Sequence, residues 1–279
     1  MDENMRPKRF PVSLIVIIVG VVITVIGVIF WKTAGIERYL DFENISIVNQ
    51  PVDNITSFDF DINSGVVEIV TGGDKLEVIA TNLPKGQYIY GTEDTTFRIK
   101  SKKIVNFFTP IDINWIAGDK YKTKITIKIP DTKVYDSFSF KLGAGESTVS
   151  GVHAKNIKLD TGAGEIKAAD LTADGTLDVE LGAGESSFSR CSAANVDFDC
   201  GAGETTYSGT ITGKGKFDGG VGELDISVIG NYNDYDIDID KGLGEVNVEK
   251  GDTSVAGDKK IPLKVDCGVG EVNVRFIGG

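Results

Sequence analysis

The residues in this chain best equipped for chemistry are seven glutamates set in one recurring frame, Gly-x-Gly-Glu: Glu146, Glu165, Glu185, Glu204, Glu223, Glu245 and Glu271. Two residues ahead of each frame stands a second column, Lys141, Asp160, Glu180, Asp199, Asp218, Asp240 and Asp266. If the frames stack as neighbouring strands, carboxylates follow one another at ~4.8 Å. Charges that close repel by about 1 kcal/mol in water, and by more where the local dielectric falls. Hard cations prefer several oxygen ligands, so weak Ca²⁺ or Mg²⁺ binding along the Glu row is one chemistry the pattern offers. The other is a solvated row of Glu side chains that accept from the corner amides. The Asp-bearing Ca²⁺ nonapeptide of known β-helices is missing from this frame. No organic cofactor is expected.

Other reactive side chains are sparse. His153 is the single histidine, and alone it builds neither a zinc site nor a Ser-His-Asp triad. Acids that recur once per repeat form a structural pattern rather than a catalytic pair among aromatics, so the chain reads as a non-enzyme. Cys191 falls in an apolar column with Val152, Leu171 and Ile229, while Cys200 and Cys267 take the place held elsewhere by Leu142 and Leu181. Counting frames in chain order puts Cys200 and Cys267 three coils apart, ~14 Å, too far for a disulfide. All three read as small core residues, with a free thiol left open by the odd count.

The frames begin at Gly143, Gly162, Gly182, Gly201, Gly220, Gly242 and Gly268, at intervals of 19, 20, 19, 19, 22 and 26 residues. Ahead of them run segments such as FSFKL, IKLDT, LDVEL and VDFDC, and a second alternation follows each Glu. Period two is the signature of a strand with one buried face. Each unit is therefore strand, glycine corner, strand and return, and units that cannot bury their faces alone do so by stacking. The paired glycines Gly143/Gly145, Gly162/Gly164, Gly182/Gly184, Gly201/Gly203, Gly220/Gly222, Gly242/Gly244 and Gly268/Gly270 mark the structural corners, with the residue between them read as a small inward wedge. The fold class is all-β: a right-handed parallel β-solenoid of ~19–20-residue coils. About eight to ten coils at ~4.8 Å give a rod of ~40 Å or more. The two longer intervals predict loops near 231–235 and 250–260.

One α-helix precedes the solenoid. Residues 12–31 are 20 residues without a charge, enough for a helix of ~30 Å. Phe30, Trp31 and Lys32 read as an interfacial anchor, and the run is read as a retained span rather than a cleaved leader. Arg6, Lys8 and Arg9 ahead of it place the N-terminus in the cytoplasm and the solenoid outside the cell. The organisation is then a cytoplasmic tail (1–11), transmembrane helix (12–31), stalk (32–54), irregular first coils or cap (55–142) and the regular solenoid (143–279). A net charge of −12 excludes nucleic acid as a partner. Within the cap, the basic and aromatic stretch 84–124 offers Lys100, Lys102, Lys103 and Trp115 as contacts for an anionic partner, against the plainer reading of a cap over the first coil. The last frame lies close to residue 279, which predicts an open final coil available for self-association.

The series LGAGE, TGAGE, LGAGE, CGAGE, the Ile129-Pro130 step before it, and the N-terminal span together resemble the toast-rack, adhesin-type family of bacterial β-strand-repeat proteins, over roughly 55–277. The resemblance implies the outer face of a Gram-positive cell membrane. It brings no catalytic residues, and for some relatives it implies a part in envelope-stress responses. The expected function is thus a single-pass, membrane-anchored cell-envelope protein offering an adhesion or binding surface to an envelope protein or glycan. Alternatives are a stress regulator acting through a membrane sensor and, more distantly, a carbohydrate-active β-helix enzyme.

Overall fold

The computed structural model describes residues 42–102, 122–254, 257 and 260–278. The expected tail and apolar span lie outside the described residues, as do Lys103 and Trp115. Among the described residues no helix is long and apolar enough to cross a membrane.

The chain folds as β1 (Phe42–Gln50), β2 (Ser57–Thr71), β3 (Leu76–Pro84), β4 (Tyr88–Glu93), β5 (Thr96–Ser101), β6 (Lys124–Ile129), β7 (Tyr135–Ser150), β8 (His153–Ala169), β9 (Thr172–Ile229), β10 (Tyr235–Glu249) and β11 (Ile261–Ile277). Along the stack β2-β7-β8-β9-β11-β10 the pairing is parallel and in frame. Gly145 pairs with Gly164 and Glu146 with Glu165, and the next step pairs Gly164 with Gly184 and Glu165 with Glu185. β9 holds three successive frames in one continuous strand, bending at each corner. The degenerate corner Ser64-Gly65-Val66 aligns with Ala144-Gly145-Glu146. The period-two pattern buries Phe138, Phe140, Leu142, Ile157, Leu159, Leu177, Val179, Val196, Phe198 and Phe217. Edge-on aromatic contacts link successive coils, with Phe188 4.8 Å from Phe198 and Tyr207 5.2 Å from Phe217. In the return column Val152, Leu171, Cys191 and Ile211 are buried, but Ile229 is exposed and Val228 takes the inward place.

Three expectations are corrected here. The expected stalk 32–54 contains β1, which pairs antiparallel with β3, and β3 pairs antiparallel with β6. Ile45 and Ile47 alternate with polar neighbours and pack on the core, so the segment has a face to bury. The residue between the corner glycines points outward, with Val221, Val269 and Leu243 exposed by 58%, 46% and 76%. The third correction concerns the end of the stack. Strand order runs β7-β8-β9-β11-β10, so β11 inserts between the last coil of β9 and β10. Gly270 stands between Gly222 and Gly244, and the outermost coil is β10, not the C-terminal strand. The long 22- and 26-residue intervals exist because the chain must step over one coil and then return. The overstep carries a short 3₁₀ turn at Tyr232–Asp234, and the return passes through 250–260.

Candidate functional site

The solenoid offers two outer faces and the corner between them. On the face ahead of the corner, acids are interleaved with lysines. Lys158 reaches Asp178 at 2.9 Å and Glu180 at 2.5 Å, and Lys264 reaches Asp266 at 2.6 Å. Lys141 pairs with Asp160, and Lys216 with Asp218. The hydrogen bonds that Lys141 donates to Asp160 and Lys158 donates to Glu180 hold both lysines' pKa above the ordinary value.

The face after the corner carries the Glu row. Its spatial order is Glu146, Glu165, Glu185, Glu204, Glu223, Glu271, Glu245, because β11 precedes β10 in the stack. Lys167 pairs with Glu165. Farther along, Glu223 has its pKa raised, first by the charge of Asp225, then by partial burial, Glu271 and Glu204. The next place along this face is held by Thr148, Lys167, Ser187, Thr206, Asp225, Asn273 and Asn247, and Asn273 donates to Asp225 at 2.8 Å. Glutamates set one coil apart make a row rather than a shell. Among the described residues no group of three or more His, Cys, Asp or Glu side chains is placed to hold a metal ion.

Behind the corner lies a feature that alternation alone does not reveal. The first inward position after each Glu is Ser147, Ser186 and Thr205 in three of the coils, and all three are buried. Ser186 Oγ donates to Thr205 Oγ1 at 2.9 Å, so these hydroxyls satisfy one another or nearby carbonyls along the stack. Ser186 and Thr205 line the inner side of the corner with Thr161, Leu181 and Cys200. A sequence signal existed, since Ser and Thr there alternate with Ile166, Leu224 and Val272 at equivalent places.

The thiols are placed differently from the count in chain order. Cys200, Gly219 and Cys267 occupy one column, so the two cysteines are two coils apart, about 9.6 Å at two inter-strand spacings. That is still beyond disulfide reach, and all three cysteines are free. Burial pushes the Cys191 thiol up to about 12 and the Cys200 thiol up to about 11. His153 Nε2, at the start of β8, lies 2.9 Å from Asp174 Oδ1 near the start of β9. In the cap, Lys100 is 2.6 Å from Asp59, and Lys102 donates to the Gly86 carbonyl at 2.8 Å. Both are therefore engaged in holding β2, β4 and β5 together.

The corner is the most distinctive surface. Its outward residues are Ala144, Ala163, Ala183, Ala202, Val221, Val269 and Leu243 in spatial order, an aliphatic row that grows in size toward β10. Bare glycine backbone flanks it on each side, and the Glu row runs beside it.

The chain is similar to several solved structures, among them a candidate cell-adhesion protein from Clostridium sporogenes, 14% identical, covering 85% of this chain and 100% of its own, TM-score 0.42. A candidate adhesin from Bacteroides fragilis is also 14% identical, covering 84% of this chain and 97% of its own, TM-score 0.39. A candidate lipid-binding protein from Parabacteroides distasonis is 16% identical, covering 83% and 96%, TM-score 0.27. No curated protein matches the chain. The family model Toastrack DUF4097 matches residues 55–278, the corners, the Glu row and the irregular first coils included, and the chain belongs to that family.

Proposed function

We propose that this protein is a non-enzymatic binding surface of the bacterial cell envelope, tethered to the membrane by the span at 12–31 with its solenoid outside the cell. The observation that carries the reading is the exposed ridge Val221, Val269 and Leu243, three aliphatic side chains on adjacent strands with glycine backbone on both sides. Contiguous exposed apolar surface beside polar rows is what an interaction site presents. A flat, repetitive ridge suits an extended ligand, a glycan chain or a protein edge, better than a small molecule, which needs a concave pocket. Full-length protein reconstituted in nanodiscs and passed over immobilised envelope fractions should be retained. The variant Val221→Ser/Val269→Ser/Leu243→Ser should be retained much less, with an unchanged melting temperature because the three positions are exposed. Equal retention of both proteins would refute the ridge as the binding surface.

A further inference from the structure

The outermost strand offers a second site, separate from the ridge. β10 has one strand neighbour, β11, and its other edge is unpaired among the described residues. Such an edge is a template for one more strand. The core also ends there unfinished. Ile237, Ile239 and Val246 are only partly buried, whereas the equivalent residues of β11, Leu263, Val265 and Val272, are fully covered. The fold already demonstrates that strands add in this register, because β11 itself enters beside β9 with Gly270 on Gly222 and Glu271 on Glu223.

The chemistry of the occupant follows from the arm ahead of the corner. Asp236, Asp238 and Asp240 alternate with Ile237 and Ile239, and all three aspartates are exposed. None of them forms an ion pair among the described residues. Lys264 on β11, the register partner of Asp238, is bound to Asp266 and acts on Asp238 only through space. Glu245 and Glu249 continue the acidity beyond the corner, where Glu249 is already paired with Arg275 at 2.7 Å. A second copy adding its own β10 would set acid against acid, which opposes pairing. A strand that alternates cations with aliphatic residues would instead place each cation opposite an aspartate and each aliphatic over the half-covered Ile237 and Ile239.

We propose that the free edge of β10, over Tyr235–Asp240, takes up an extended basic segment of another polypeptide as an added strand. The probe is a capped fluorescent heptapeptide, Lys-Val-Lys-Val-Lys-Val-Lys, titrated into full-length protein in nanodiscs and read by anisotropy. Binding should weaken at high salt. It should fall about tenfold or more in the variant Asp236→Asn/Asp238→Asn/Asp240→Asn, whose melting temperature should not drop because the substituted side chains are exposed. The block isomer Lys-Lys-Lys-Lys-Val-Val-Val should bind at least tenfold more weakly, since it keeps the charge and loses the alternation. Equal binding of the two peptides, or no loss in the Asn variant, overturns the proposal. So does a concentration-dependent dimer, seen by sedimentation, that the Asn variant abolishes, because it assigns the edge to a second copy. Since the Asn variant leaves Val221, Val269 and Leu243 untouched, its result is independent of retention through the ridge.

Discussion

An exposed carboxylate in a row of carboxylates is relieved where a cation stands beside it, as Lys167 does beside Glu165, and has its pKa raised where other acids stand there instead. Ahead of the corner, lysines sit within the acid columns. After it, Glu223 is held above the ordinary carboxylate value chiefly by Asp225, with burial, Glu271 and Glu204 adding to the effect. A carboxyl whose folded value is raised stabilises the fold when protonated, so its contribution grows as pH falls through that value and is lost as pH rises past it. Glu223→Gln should therefore raise the melting temperature at pH 7. The gain should vanish near about pH 3, where the wild-type group is also protonated, and shrink in 1 M salt, where screening acts within about 3 Å. Asp170, lowered first by its hydrogen bond from Arg190, has the opposite sign. Asp170→Asn should lower the melting temperature at pH 7 and converge with wild type in acid. Calorimetry across that pH range checks both. The thiols give a second residue-scale test. With Cys191 near 12 and Cys200 near 11, almost no thiolate exists at pH 8. Alkylation of the native protein, followed by mass spectrometry, should mark Cys267 first and Cys191 last.

At the scale of the element, the glycine corner decides which substitutions the coil accepts. Gly203 has φ +133° and sits directly under the carbonyl of Gly184, into which a Cβ would be driven. Gly203→Ala should cost ~2–6 kcal/mol, from ~1–3 kcal/mol for the backbone conformation and a comparable amount for displacing the neighbouring coil. Ala202→Val, one residue away on the outward ridge, should be nearly neutral, as Val221 and Val269 already occupy that place. A denaturant midpoint for each variant separates the two. The corner and its glycines were readable from the sequence because a fixed spacing and period-two alternation leave one stacking register. The direction of the residue between the glycines was not, since alternation breaks at a positive-φ glycine and small residues fit either side. Nor was β1, whose 42–50 stretch carries no Gly-x-Gly frame to align it. Taken singly, Ser147, Ser186 and Thr205 are not legible as inward residues, because a hydroxyl there looks polar until its partner on the next coil is known.

At the scale of the molecule, frame spacing counts coils without ordering them. Chain order would put the final strand at the open end, but the five residues 230–234 between β9 and β10 are enough to step over one coil. The true order has an energetic consequence. In a solenoid each coil is held mainly by its two neighbours, so stability should be graded from the doubly covered centre to the singly covered end. Phe198, buried and in ring contact with Phe188, Tyr207 and Phe217, lies in that centre, and Phe198→Ala should cost ~3–5 kcal/mol. β10 depends on β11 alone. In hydrogen exchange of the intact protein, amides of Tyr235–Glu249 should open before those of β7, β8 and β9. Removing residues 261–279 should then abolish protection in β10 altogether, although β10 is left whole, while β7 and β8, four or more coils away from the removed strand, keep theirs. A chain-order stack predicts the reverse, with β10 still protected against the last coil of β9 after the truncation. Persistent protection of Ile237 and Ile239 in the shortened protein would therefore refute the inserted position of β11, and with it the acidic edge that β10 presents.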